Sequence, residues 1–74
     1  MSNNISNVLE YKGFIGNIEV DTKADILYGH VQNLKNLNDI VSYEGETIKE
    51  LKDDFRNAID DYLASYEDQS SQEN

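Results

Sequence analysis

The apolar positions of this chain follow two different periods. Over residues 47–66, Ile48, Leu51, Phe55, Ala58, Ile59, Tyr62, Leu63 and Tyr66 recur at intervals of 3, 4, 3, 1, 3, 1 and 3. That spacing keeps one apolar stripe on one side of a 3.6-residue helix for about five turns. Thr47 followed three residues later by Glu50 reads as a capping box, each side chain accepting from a first-turn N–H. Lys49, Lys52, Asp53, Asp54, Arg56, Asn57, Asp60 and Asp61 cover the opposite face. A helix with one apolar side must lie on something, and the first 46 residues have to supply it.

In that first part the period is two. Leu9 and Tyr11 alternate, then Phe14, Gly16, Ile18 and Val20 alternate on the other parity. One inserted residue changes parity without changing face, and Gly13 is the natural place for such a bulge. Residues 8–20 therefore read as one long bent strand, or two short collinear ones. Residues 21–25 form a polar turn. Residues 26–31 form a second strand, with Leu27, Gly29 and Val31 on one face and Ile26, Tyr28 and His30 on the other, giving an antiparallel hairpin. Gly16 and Gly29 fall on the inner faces, where the missing side chains let the helix, and Phe55 in particular, come close. Residues 33–39, with Leu34 and Leu37, read as a loop. Residues 40–43 make a third strand with Val41 and Tyr43 pointing one way, and Glu44-Gly45-Glu46 turns into the helix.

The expected fold is thus α+β: a three-stranded antiparallel sheet with one long amphipathic helix packed on one face, in the order β-β-β-α. Residues 8–66 form the domain, between a polar, disordered N-terminus over 1–7 and a disordered acidic tail over 67–74.

Composition narrows the function. Seventy-four residues make one small domain, whose single core supplies only a few kcal/mol of net stability. There is no cysteine to staple it, which fits a reducing cytoplasm. The first 20 residues hold no apolar run flanked by basic charge, so no signal peptide is expected. No stretch approaches the roughly 18 to 20 apolar residues of a membrane helix. The net charge of −9 is spread along the chain: seven acids against three bases over residues 1–46, five against three over 47–66, and three against none from Glu67. With only six scattered Lys or Arg, direct nucleic-acid binding is disfavoured, and a basic protein partner is favoured.

Catalytic chemistry finds little purchase. Without cysteine and with one histidine, neither a nucleophile–base pair nor a His/Cys zinc site is available. His30, in a strand and beside Tyr28, reads as a surface or interface residue. The adjacent acids Asp53-Asp54 and Asp60-Asp61 diverge by about 100° on a helix and do not converge on one ion. Asp53 does share a face with Asn57 and Asp60, but a solvated acidic face is the simpler reading. Gly13 and Gly16 sit in a strand, not before a helix N-terminus, so they form no phosphate-binding loop. The expectation is a non-enzymatic binding protein with no cofactor and no metal.

Three segments carry a family resemblance. Leu9-Glu10-Tyr11-Lys12-Gly13-Phe14-Ile15-Gly16 resembles the opening strand of HicB-like antitoxins, and Leu27-Tyr28-Gly29-His30-Val31 resembles their second strand. The most specific part is Asp39-Ile40-Val41-Ser42-Tyr43-Glu44-Gly45-Glu46-Thr47, continuing through Glu50-Leu51, Phe55, Ala58 and Asp60-Asp61-Tyr62-Leu63. It is similar to the strand, acidic-glycine turn and capped helix of that family. The resemblance implies a partial ribonuclease-H-like domain without nuclease activity, which binds a small basic ribonuclease toxin of the HicA type and blocks its mRNA cleavage. It also implies a homodimer or larger assembly. Many family members carry a further strand and a C-terminal DNA-binding segment. Neither is visible after Tyr66, so operator repression by this chain is not expected.

The leading reading is therefore an antitoxin-like inhibitor that masks a basic ribonuclease toxin by protein–protein contact. The alternative is an acidic, nucleic-acid-mimicking inhibitor of a defence nuclease or transcription protein, encoded by a phage or mobile element. The residues expected to meet the partner are Ile26, Tyr28, His30, Tyr43, Glu44 and Glu46.

Overall fold

The computed structural model describes residues 8–36 and 38–73, with side chains as far as residue 65. The expected disordered N-terminus, residues 1–7, and Leu37 of the loop lie outside the described residues. Five short strands precede one helix: β1 (Val8–Tyr11), β2 (Phe14–Asn17), β3 (Glu19–Asp21), β4 (Ile26–His30), β5 (Ser42–Gly45) and α1 (Ile48–Glu73). The fold is α+β, with a three-stranded antiparallel sheet in the order β3-β4-β5 and the helix packed on one face. A two-stranded sheet, β1-β2, adjoins it.

That second sheet corrects the reading of residues 8–20. Gly13 does not mark a bulge in a continuous strand. β1 and β2 fold back on each other, with Leu9 opposite Gly16 and Tyr11 opposite Phe14. Lys12 (φ 52°) and Gly13 (φ 85°) form the two-residue connection. Positive φ at both central positions is the type I′ geometry whose twist matches the flanking strands. A two-residue turn and a bulge both switch the parity of a period-two pattern, so alternation alone does not separate them. The collinear part of the expectation lies further on, where β2 and β3 follow one another with only Ile18 between them. Gly16 bridges to Val31, and the Gln32 N–H donates to the Ile15 carbonyl at 2.7 Å, tying the two sheets together.

The second hairpin pairs Glu19 with Tyr28, Val20 with Leu27 and Asp21 with Ile26. Its loop is held by Asp21 Oδ1, which accepts from the N–H groups of Lys23 and Ala24 at 3.0 and 3.2 Å. The third strand begins later than expected, at Ser42, and Ile40 is largely exposed. Val41 and Tyr43 nevertheless point inward together, as their alternation requires. The 33–39 loop is pinned at its start by Asn33, whose side chain accepts from the Ile15 N–H and donates to the Gly13 carbonyl.

Thr47 caps α1, its Oγ1 accepting from the Glu50 N–H at 3.1 Å. The reciprocal bond falls one residue earlier than in a standard capping box: Glu50 Oε1 accepts from the Glu46 N–H at 3.0 Å. The helical backbone continues to Glu73, beyond the expected end at Tyr66 and through most of the expected disordered tail. No glycine follows Gly45 and the chain has no proline, so nothing in the sequence signals a stop there.

The core is Leu9, Val31, Val41, Tyr43, Leu51, Phe55 and Ile59, with Phe55, Leu51 and Ile59 fully buried. The Tyr43 and Phe55 rings meet edge to face at 4.9 Å, and Phe14 meets Tyr62 the same way at 6.0 Å. Phe55 does approach Gly16, as expected, but Gly29 is approached by Asn17 and the Tyr43 hydroxyl instead. Along the helix stripe Leu51, Phe55 and Ile59 are buried, Ala58, Tyr62 and Leu63 are partly buried against them, and the first member, Ile48, is half exposed.

Candidate partner-binding face

Because strand residues alternate, the sheet turns Leu27, Gly29 and Tyr43 toward the helix and leaves Ile26, Tyr28, His30, Ser42 and Glu44 on the other side. Register then sets the neighbours on that outer face. Tyr28 lies directly opposite Glu19 on β3 and opposite Glu44 on β5, forming one acid–aromatic–acid row across three strands. Asp21 stands beside it, opposite Ile26. No lysine or arginine occurs in β3, β4 or β5. A shallow depression of about 550 Å³ borders this face, lined by Asp21, Ile26, Tyr28, Ser42 and Glu44 together with Gly29, Tyr43 and, from the helix, Asp54.

The electrostatics follow from the row. The Tyr28 hydroxyl comes within 3.5 Å of Glu19 Oε1. The Glu19 carboxylate, then partial loss of solvent and the nearby Asp21, push the phenol above its ordinary range. Glu19 is held in place by the Asn17 amide, which donates to its Oε2 at 2.9 Å. The Asn17 Oδ1 accepts from the His30 N–H at 2.8 Å.

Of the six residues expected to meet a partner, Ile26, Tyr28, His30 and Glu44 share this face. Tyr43 does not. It is only 3% exposed, and its hydroxyl donates to the Asn17 and His30 carbonyls at 2.8 and 3.2 Å, so it belongs to the core. Burial pushes its pKa up to about 12. Glu46 is exposed but lies past the end of β5, its N–H committed to Glu50.

The sequence reading missed Glu19 and Asp21. Their alternation about Val20 carried the signal, but only the hairpin register reveals that they face Tyr28 and Ile26. It also missed that part of the solvated acidic helix face is structural. Asp54 accepts from the Glu44 N–H at 2.9 Å and so occupies a backbone donor of the edge strand β5. Asp60 accepts from the Tyr11 hydroxyl and from Lys12 Nζ, the latter at 2.9 Å, and so ties the first hairpin to the helix. The Lys12 and Tyr11 hydrogen bonds hold the Asp60 carboxyl below the usual range.

Among the described residues no group of three or more His, Asp or Glu side chains is arranged to hold a metal ion. No helix among the described residues is long and apolar enough to cross a membrane. No family model matches this chain, and no curated protein or solved structure matches it either.

Proposed function

We propose that this chain is a non-catalytic binding protein that masks the cationic surface of a small basic partner, as an antitoxin holds a ribonuclease toxin. The observation that carries the reading is the Glu19–Tyr28–Glu44 row, an aromatic side chain between carboxylates on a face without Lys or Arg in its strands. An aromatic of this kind serves as an anchor, and the surrounding charge steers a basic protein and rejects acidic ones. The resemblance to HicB-like antitoxins supplies the partner class, a small RNA-cleaving protein whose own cationic surface is the one to be covered.

Affinity capture from host lysate tests this, using the wild-type chain and a Glu19→Lys/Glu44→Lys variant in parallel. The expected result is a basic ribonuclease retained by the wild type, lost with the variant, and inhibited in RNA cleavage by the wild type alone. Equal retention by both chains, or unchanged cleavage in the presence of the wild type, would sink the proposal.

A further inference from the structure

The two sheets share one continuous line of chain. β2 and β3 keep a single register against β4 through Ile18: Gly16 faces Val31, and three steps further on Glu19 faces Tyr28. On the other side β1 covers this line only as far as Asn17, which pairs with Val8. Beyond that point β3 pairs with β4 alone, so among the described residues its other edge has no neighbour.

The backbone groups of successive strand residues point to alternate edges. The Gln32 N–H donates to the Ile15 carbonyl, so the odd residues of this line turn their N–H and C=O groups toward β4 and the even ones turn theirs away. Ile18 and Val20 therefore present theirs to the open edge. Side chains there are uncovered as well. Val20 lies opposite Leu27, on the side where Leu27 packs against the core, yet it is 60% exposed. Ile48, 51% exposed, lines with Val8 and Ile18 a groove of about 350 Å³ between the first turns of the helix and the start of β1. An open strand edge beside bare apolar side chains is a template for one more strand.

The residues just before β1 have the pattern such a strand needs. Continuing the β1–β2 register backward from Val8 sets Asn7 opposite Ile18, Ser6 opposite Glu19 and Ile5 opposite Val20. The faces agree as well as the partners. Leu9 is buried and the Tyr11 hydroxyl reaches Asp60 of the helix, so odd positions along this strand turn to the helix side, and Ile5 shares their parity. Ile5 is also the only apolar residue between Met1 and Val8. None of residues 1–7 has a charged side chain, so the segment brings no acid against Glu19 or Asp21.

From this agreement of register, face and apolar position we infer that residues 5–7 dock on the free edge of β3, with Ile5 covering Val20. Composition alone reads residues 1–7 as disordered, because composition does not see the register that awaits them. Docking joins the two sheets into one and closes the edge of the strand that carries Glu19. Ile5 sits on the helix side, away from Tyr28, so the outer face stays open and the inference does not depend on any partner.

Amide hydrogen exchange of the full chain, read residue by residue by NMR at two protein concentrations, tests the inference. In the wild type the Ile18 and Val20 amides are protected equally at both concentrations, and the Ile5 and Val20 methyl groups show a direct nuclear Overhauser contact. Ile5→Asp speeds exchange at these two amides by about tenfold or more, while the Leu51 and Phe55 amides of the helix keep their protection. Ser6→Lys, on the opposite face beside Glu19, leaves the protection intact. Ile18 and Val20 amides that exchange as fast in the wild type as in Ile5→Asp would overturn the assignment. So would protection that grows with concentration, which would place a second copy on the edge, or an equal loss with Ser6→Lys, which would break the register.

Discussion

The Tyr43 hydroxyl occupies the space into which a side chain at Gly16 would project, and Phe55 closes the same space from the helix. One phenol thus joins three parts of the fold. Its ring packs on the helix through Phe55, and its hydroxyl ties β4 to the junction of β2 and β3.

Gly16→Ala is therefore expected to destabilise the domain by about 1–3 kcal/mol, the range for overpacking a filled core. A methyl group there would overlap the Tyr43 hydroxyl and stand 2.8 Å from Phe55 Cε1, and both rings are buried in the core. Urea unfolding measures the loss, and a midpoint equal to wild type would show that the Tyr43 hydroxyl is not held where the structure puts it.

Gly13→Ala tests a different physics. Nothing lies within 4 Å of the added carbon, so any cost comes from the backbone at φ +85°. A loss of about 1 kcal/mol is expected for alanine, and a smaller one for Gly13→Asn, since asparagine tolerates positive φ. If alanine and asparagine cost the same, turn geometry is not the reason for glycine here.

Tyr43→Phe removes the donor from two carbonyls, those of Asn17 and His30, at an expected cost of about 1–3 kcal/mol. The same hydroxyl makes the wild type sensitive to alkali. Burial raises its pKa from 10.0 to about 12, so the folded state holds a proton that the unfolded chain releases. Its contribution is complete below pH 10 and is lost as the pH rises from 10 toward 12. Urea midpoints compared across that window should fall more steeply for wild type than for Tyr43→Phe. Parallel slopes would assign the alkaline loss to other groups.

Thr47→Ala should lower stability by about 1 kcal/mol while keeping the fold, because it removes the acceptor for the Glu50 N–H. Thr47→Ser keeps that acceptor and should melt near wild type. Serine as damaging as alanine would exclude capping by the hydroxyl.

The row of Glu19, Tyr28 and Glu44 shows why half of the outer face escaped the sequence reading. Ile26, Tyr28 and His30 were legible from strand alternation alone, because period two is a local property of the backbone. Glu19 and Asp21 were not, because which residue of one strand faces which of the next depends on loop length and register.

The same division holds for the whole chain. By itself the sequence determined the helix, its Thr47 cap, the side it buries through Leu51, Phe55 and Ile59, and the common direction of Val41 and Tyr43. Those follow from periodicities and bonds spanning a few residues. Tertiary structure alone decided that residues 8–17 fold back as a hairpin, that Tyr43 is drawn into the core, and that Asp54 and Asp60 leave the solvated face to hold Glu44, Tyr11 and Lys12. A parity switch is the same for a bulge and for a two-residue turn, and a polar atom's partner depends on what the chain brings near it from far away in sequence. Periodicity carries neither kind of information.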